Sequence, residues 1–313
     1  MTKLRIGSRG SALALWQANH VREILRESCG VDCEIAVIKT FGDRVAQSPL
    51  AQAGGKGLFT KEIEDALLEC RVDLAVHSLK DLPTELPAGL TLGATPKRED
   101  VHDCLVSRDG SPLARIRERA RVGTGSLRRR AQLLNYRRDL ELCDIRGNVD
   151  TRLRKLESGE FDGIVLARAG LERLGLVDKI TEVIPMEVML PAAGQGALGI
   201  ECRTHDEEIQ MLVGRLDDPD TRGAISAERA LLAQLEGGCQ VPLGAWARIE
   251  NGRLLLDAVV LSPDGADCVR RSISGAVSEG SRIGRSLGEE LLAAGADRLL
   301  RLAGRGLGQS FGA

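Results

Sequence analysis

The stretch ARVGTGSLRRRAQLLNYRRDLELCDIRGNVDTRLRKLESGEFDGIVLAR (120–168) decides the fold. ARVGTG (120–125) is a short apolar strand running into glycine-rich text, and residues 127–138 space their apolar side chains as a helix does. LELCDIRG (140–147) reads as a second strand, 149–158 as a second helix and GIVLAR (163–168) as a third strand. Strands and helices alternating over such short connections predict a parallel or mixed sheet with helices on its faces.

The same grammar holds upstream. LRIGS (4–8), EIAVIKT (34–40), DLAVHS (73–78), LTLGA (90–94) and DCLVS (103–107) read as strands, with helices near 12–28 and 57–70. That is too many strands for one small domain, so two α/β domains are expected. From about Pro219 the text changes. A helix (220–236) ends at Gly237-Gly238, and Asn251-Gly252 and Asp264-Gly265 are the turn signals of an antiparallel meander. A final helix is expected near 281–302, completing a third, α+β domain.

Composition bounds the function. The 313 residues carry a net charge of -2, so any anion binding must come from local clustering. Seven aromatic residues (Phe 4, Trp 2, Tyr 1) are too few to stack successive nucleic-acid bases. The opening MTKLRIGSRGSALALWQ is broken by Arg5 and Arg9 and does not read as an export signal. No apolar run is long enough to span a bilayer. Eight cysteines occur without a C-x-x-C pair and with only four histidines, so reduced thiols in a cytoplasmic chain are expected, with no metal site and no disulfide framework. Seven of those cysteines lie in helical or strand text and read as core.

The charge balance breaks between Arg115 and Lys155, where twelve arginines and one lysine face five acids. Val122-Gly-Thr-Gly-Ser-Leu-Arg-Arg-Arg130 runs a strand into a helix that starts at or just after Ser126. The glycines let the backbone turn so that N–H groups can point at one spot, and the helix N-terminus, the Thr124 and Ser126 hydroxyls, and Arg128 and Arg129 in the first turn complete an anion pocket. It is not a P-loop, because no G-x-x-x-x-G-K-[ST] is present. Arg146 and Arg152 flank the next strand–helix junction, and Arg9 follows the first strand. Strand C-terminal ends line the binding crevice of α/β sheets, so these groups can share one site. Single arginines on helices are more often solvated, and Arg115, Arg117, Arg119, Arg137 and Arg138 are read that way.

Lys80 and Asp81 follow the apolar strand DLAVHS. An acid there can act as a base or stabilise a developing cation, although a turn-capping aspartate is the commoner case. Cys239, in Gly237-Gly-Cys-Gln-Val-Pro242, sits in a loop that can present a thiolate nucleophile; a small residue packed under a loop is the other reading.

Together these stretches resemble the porphobilinogen deaminase (hydroxymethylbilane synthase) family. The matching segments are IGSRGSALALWQA (6–18), GGKGLFTKEIE (54–64), AVHSLKDLPTELPAGL (75–90), VGTGSLRRRAQL (122–133), IRGNVDTRLRKL (145–156), LPAAGQGALGIECR (190–203) and GGCQVPLGA (237–245), in family order along nearly the whole chain. The resemblance implies two periplasmic-binding-protein-like α/β domains around a cleft plus a smaller C-terminal α+β domain. Their bounds would be 1–97 with 197–216, 98–196, and 217–313. It implies a dipyrromethane cofactor on Cys239 through a thioether, and condensation of four porphobilinogen molecules onto it. Each unit loses ammonia to give an electrophilic azafulvene, and water finally releases hydroxymethylbilane for uroporphyrinogen-III synthase. Asp81 matches the catalytic carboxylate. Lys80, Thr124, Gly125, Ser126, Arg128, Arg129 and Arg146 match cofactor contacts. Arg9, Ser11, Gln17, Arg146, Arg152, Arg173 and Gln195 match substrate contacts, with Lys56 and Phe59 on a flap over the cleft. Gln52 departs from the pattern, a lysine being expected there, so a basic contact from that position would be missing. A cytoplasmic monomer in heme biosynthesis, binding neither nucleic acid nor membrane, is implied. A non-enzymatic anion-binding protein of the periplasmic type is the competing reading; it needs an export signal and has no use for Cys239.

Overall fold

The computed structural model describes residues 3–41, 60–235 and 241–309. Among the described residues, two five-stranded sheets and one three-stranded sheet are formed.

The first sheet is built from β1 (Leu4–Ser8), β2 (Cys33–Val37), β3 (Leu74–Ser78), β4 (Leu90–Ala94) and β10 (Leu198–Arg203), in the order β2-β1-β3-β10-β4. β2, β1 and β3 run parallel, and β10 lies antiparallel between β3 and β4. Helix α1 (Ala12–Cys29) starts on a Ser11 cap whose hydroxyl accepts from the Ala14 N–H. It packs Ala18, Val21 and Leu25 on one face of the sheet, and α2 (Lys61–Leu68) packs Ile63, Ala66 and Leu67 into a second core with Val72, Ala75 and Leu90. LGIECR thus returns to the first sheet after the chain has built the second, as the resemblance implies.

The second sheet repeats that plan. β5 (Asp103–Ser107), β6 (Arg121–Gly123), β7 (Glu141–Cys143), β8 (Gly163–Ala167) and β9 (Glu182–Val183) take the order β7-β6-β8-β5-β9, with β7, β6 and β8 parallel and β5 antiparallel to both neighbours. Helices α3 (Leu127–Tyr136), α4 (Val149–Glu157) and α5 (Arg168–Arg173) connect the strands. Both sheet faces are covered, by a core around Leu105, Val122, Leu133 and Val165 and another around Cys104, Ile145, Ile164 and Leu171.

The third sheet is the expected meander of β11 (Leu243–Glu250), β12 (Arg253–Leu261) and β13 (Cys268–Ala276). Asn251 and Gly252 take φ of 50° and 72°, the paired positive φ that a two-residue hairpin turn requires. One face buries Ala245, Leu254, Leu256 and Ala258 against α7 (Pro219–Gln234), α8 (Gly280–Ala293) and α9 (Ala296–Gln309). On the other, Val259 and Leu261 meet Ala131 of α3 and Leu190. The single helix expected at 281–302 is two helices. Gly295, with φ of 96°, ends the first, and the chain restarts at Ala296. Helix α6 (Glu207–Gly214), like β9, β10 and α5, has no counterpart among the elements expected from periodicity.

By internal contact the chain divides into two compact units, Met1–Glu99 with Gly196–Arg222, and Asp100–Gln195 with Gly223–Ala313. Among the described residues no helix is long and apolar enough to cross a membrane.

Candidate active site

In the first unit the C-terminal ends of β1 and β3 lie side by side, because Ile6 pairs with Leu74 and Gly7 with Ala75. Arg9 and Ser11 follow β1. Lys80 and Asp81 form a single 3-10 turn (Leu79–Asp81) after β3. The turn is held from below: Leu79 is buried, and its N–H donates to the Ala197 carbonyl at 3.0 Å. Gln17 is buried on α1 and donates from Nε2 to Ser78 Oγ at 2.8 Å, tying that helix to the end of β3. One residue earlier, His77 meets Glu201 of β10 at 3.1 Å in full burial. Asp81 itself is exposed. A carboxylate standing at a strand end on a rigid turn, beside Lys80, is free to meet a ligand, which a turn-capping role would not require.

In the second unit the ends of three parallel strands, β7, β6 and β8, form another edge. Thr124, Gly125 and Ser126 follow β6, Arg146 follows β7, and α5 with Arg173 follows β8. The Thr124 N–H donates to the Cys143 carbonyl at 2.9 Å, which locks the first two loops together. Ser126 caps α3 by accepting from the Arg129 N–H at 3.5 Å, while its own N–H donates to Thr124 Oγ1 at 3.2 Å. Each hydroxyl therefore accepts within the loop and keeps its proton to donate. Arg152 sits in the first turn of α4 and donates from Nε to the Gly147 carbonyl at 2.8 Å.

Because β5 runs antiparallel to β8, its first residue, Asp103, reaches the same edge, opposite Ala167. Asp103 is fully buried and joins Arg128, Arg129 and Gln195. Burial pushes its pKa upward, but the two guanidiniums outweigh this and hold it far below the usual carboxylate range. Sequence reading missed Asp103. The only signal for it was an acid opening an apolar strand at the sheet end where the arginines gather.

Gln195, read as a substrate contact, is buried and donates from Nε2 to Asp103 and to the Val101 carbonyl, behind the arginines. Arg173 is buried too. The arginines read as solvated behave so, with one partial exception. Arg117 pairs with Asp162 and Arg119 with Glu141 at the surface, while Arg137 is partly buried against Asp139 and three carbonyls. Of the cysteines read as core, Cys33, Cys104 and Cys202 are buried, and burial raises the Cys104 thiol to about 12 and Cys202 to about 11. Cys70 and Cys268 are a correction, since both are exposed: Cys70 falls in the turn after α2 and Cys268 opens the edge strand β13. Cys239, Lys56, Phe59 and Gln52 lie outside the described residues.

Two family models cover the chain: porphobilinogen deaminase, dipyrromethane cofactor binding domain, over residues 4–211, and porphobilinogen deaminase, C-terminal domain, over 223–293. The chain belongs to the porphobilinogen deaminase family. It is 50% identical over 299 residues to the porphobilinogen deaminase of Geobacter metallireducens, covering 95% of this chain and 94% of that one. It is 51% identical over 302 residues to that of Pelotomaculum thermopropionicum, covering 96% and 97%. Among solved structures it is similar to a periplasmic substrate-binding protein of an ABC transporter from Coxiella burnetii, at TM-score 0.43 and 14% identity over 69% of this chain and 92% of that one. Porphobilinogen deaminase family membership makes this chain a transferase of porphyrin biosynthesis, a hydroxymethylbilane synthase with a dipyrromethane cofactor. The donor set fits that group. Pyrroles bearing acetate and propionate need cations and hydroxyl donors, and the second unit gathers both at one sheet edge. It also buries a donor with no partner there, Arg128 Nε.

Proposed function

We propose that the chain joins four porphobilinogen molecules head to tail, with loss of ammonia, on a dipyrromethane attached to Cys239 by a thioether, and then releases hydroxymethylbilane by hydrolysis. When bound, dipyrromethane supplies the primer pyrrole to which substrate units are added. The chain's own residues do the rest. Asp81 accepts hydrogen bonds from pyrrole N–H groups and stabilises the positive charge that grows as ammonia leaves. Thr124, Ser126, Lys80, Arg128, Arg129 and Arg146, with the Gly125 N–H, hold carboxylates of the cofactor. Arg9, Ser11, Arg152 and Arg173 hold those of the incoming substrate, with Gln17 and Gln195 in support.

The observation that carries this reading is the collection of Thr124, Ser126, Arg128, Arg129 and Arg146 at one end of three parallel strands in a chain with almost no net charge. A polycarboxylate ligand explains that concentration, whereas bulk charge does not. With it we propose three domains at 1–97 with 197–216, 98–196 and 217–313, a monomeric state, a cytoplasmic location and delivery of the product to uroporphyrinogen-III synthase. Lys56 and Phe59 are proposed as substrate contacts on family resemblance alone.

The test is the mass of the purified, denatured chain. The wild type is expected to exceed its sequence mass by a dipyrromethane, and Cys239→Ser to lack the excess. A wild-type chain at bare mass that converts porphobilinogen at full rate would overturn the reading.

A further inference from the structure

The two neighbouring arginines of α3 are held in different ways. Asp103 Oδ1 accepts from Arg129 Nε at 3.0 Å and from Arg129 Nη2 at 2.7 Å. The remaining nitrogen, Nη1, donates to the Val165 carbonyl at 2.9 Å, so every nitrogen of Arg129 is engaged. Arg128 is held by one nitrogen alone. Its Nη1 donates to Asp103 Oδ2 at 2.7 Å and to the Leu190 carbonyl at 2.6 Å. Leu190 is fixed in turn, because its N–H donates to Gln132 Oε1 at 2.8 Å and Gln132 Nε2 donates back to its carbonyl at 3.0 Å. Arg128 Nε is buried and donates to nothing, and Nη2 has no partner among the described residues.

Nε and the Nη on its side form the edge of a guanidinium that matches the two oxygens of a carboxylate. On Arg129 that edge is filled by Asp103. On Arg128 it is open, on a side chain only 4% exposed. An unsatisfied donor edge inside a protein is costly, and an anionic ligand relieves the cost. One carboxylate against two guanidiniums also leaves a net positive charge buried at this sheet edge.

We propose that Asp103 is a positioning residue that gives the two arginines separate jobs. It closes the fork of Arg129, which then serves the cofactor carboxylates as a fixed positive charge, and pins Arg128 by Nη1 so that the Nε–Nη2 edge presents to a carboxylate of the ligand. This rests on the reading that dipyrromethane binds at this edge. Gln195 completes the device by filling the remaining side of Asp103 Oδ1 at 3.0 Å. Release of Asp103 from Arg129 would let it swing onto the Arg128 fork and compete with the ligand.

The test uses the full chain with Arg128→Lys, Asp103→Asn and Asp103→Glu. For each, the loaded fraction is read from the mass of the denatured chain, the KM for porphobilinogen from the loaded fraction, and the thermal midpoint from unfolding. Arg128→Lys keeps a charge but has no fork, so loading is expected to fall at least tenfold with the midpoint close to wild type. Asp103→Asn is expected to lower both loading and midpoint and to raise KM in whatever loads. Asp103→Glu is expected to restore loading in part. A folded Asp103→Asn with wild-type loading and KM overturns the proposal, and so does a fully loaded Arg128→Lys, which decides the matter if Asp103→Asn does not fold. A wild-type chain at bare mass overturns the underlying reading as well, whereas a loaded wild type beside a loaded Arg128→Lys overturns only the division between the arginines.

Discussion

Gly284→Ala is expected to destabilise the C-terminal part of the chain, although alanine is the better helix former. Gly280, Gly284 and Gly288 recur every four residues along α8 and face α7. A methyl at position 284 would lie 2.2 Å from the Ala227 carbonyl oxygen, 2.9 Å from Ala230 Cβ and 2.9 Å from the Leu231 nitrogen. Ordinary carbon–oxygen contacts begin near about 3.3 Å, so the helices must part locally by roughly 1 Å. The blocking atom is a helical carbonyl, which cannot rotate away as a side chain would. Overpacking of this kind costs about 1–3 kcal/mol, and the backbone obstacle argues for the upper end. The gain in helix propensity offsets about 1 kcal/mol, leaving a net loss of about 2 kcal/mol.

Gly214→Ala is the matched control. It changes the last residue of α6, where an added methyl meets nothing within 4 Å, so it should stabilise by about 0.4–1 kcal/mol. Urea denaturation at constant m-value, followed by far-UV circular dichroism, reads both. A Gly284→Ala chain as stable as wild type, beside a Gly214→Ala chain that gains as stated, would show that α7 and α8 are not in backbone contact.

Asp81→Asn keeps the shape of the side chain but removes its charge. Turnover of porphobilinogen is expected to drop by about 10²–10³, the scale seen when one preorganised electrostatic group is lost, with KM changing far less and the mass excess retained. Turnover within a few-fold of wild type would remove Asp81 from the reaction. Glu64, on α2, is buried beside Thr60, Glu201 and His77, and burial, reinforced by the Glu201 charge, raises its pKa. An acid whose folded pKa lies above its unfolded value binds more protons when folded, so its contribution is complete below about pH 4.3 and is lost as pH rises through the folded value. Glu64→Gln is therefore expected to gain stability relative to wild type between about pH 4.5 and pH 8, measured as urea midpoints; a constant difference across that range would refute it.

Where the sequence was legible, one physical signal acted alone. Short apolar runs set between helix-like stretches gave LRIGS, LTLGA and DCLVS their bounds, and the glycine after Asn251 marked the hairpin. Patterning was silent on β10, because LGIECR breaks its apolar run with Glu201, whose partner His77 lies far away in sequence. The break between α8 and α9 was hidden because Gly295 interrupts a leucine- and alanine-rich text that keeps its helical period on both sides. At the site, residue type and strand-end position singled out the arginine loops, whereas for Asp81 they favoured a turn cap and only the family resemblance pointed to a catalytic role. What they could not show is which guanidinium edge is already filled.

That missing piece follows from topology. A carboxylate can satisfy buried guanidiniums only if another strand brings it to their end of the sheet, and here the single antiparallel strand of the central set does so. Were β5 parallel to β8, its first residue would lie at the opposite edge and Asp103 could reach neither arginine. Both side chains would then be uncompensated buried cations, an arrangement that costs several kcal/mol per charge. The chain's entry into the second unit, which opens β5 at Asp103, is thus also what allows two adjacent arginines to be buried at the proposed carboxylate site.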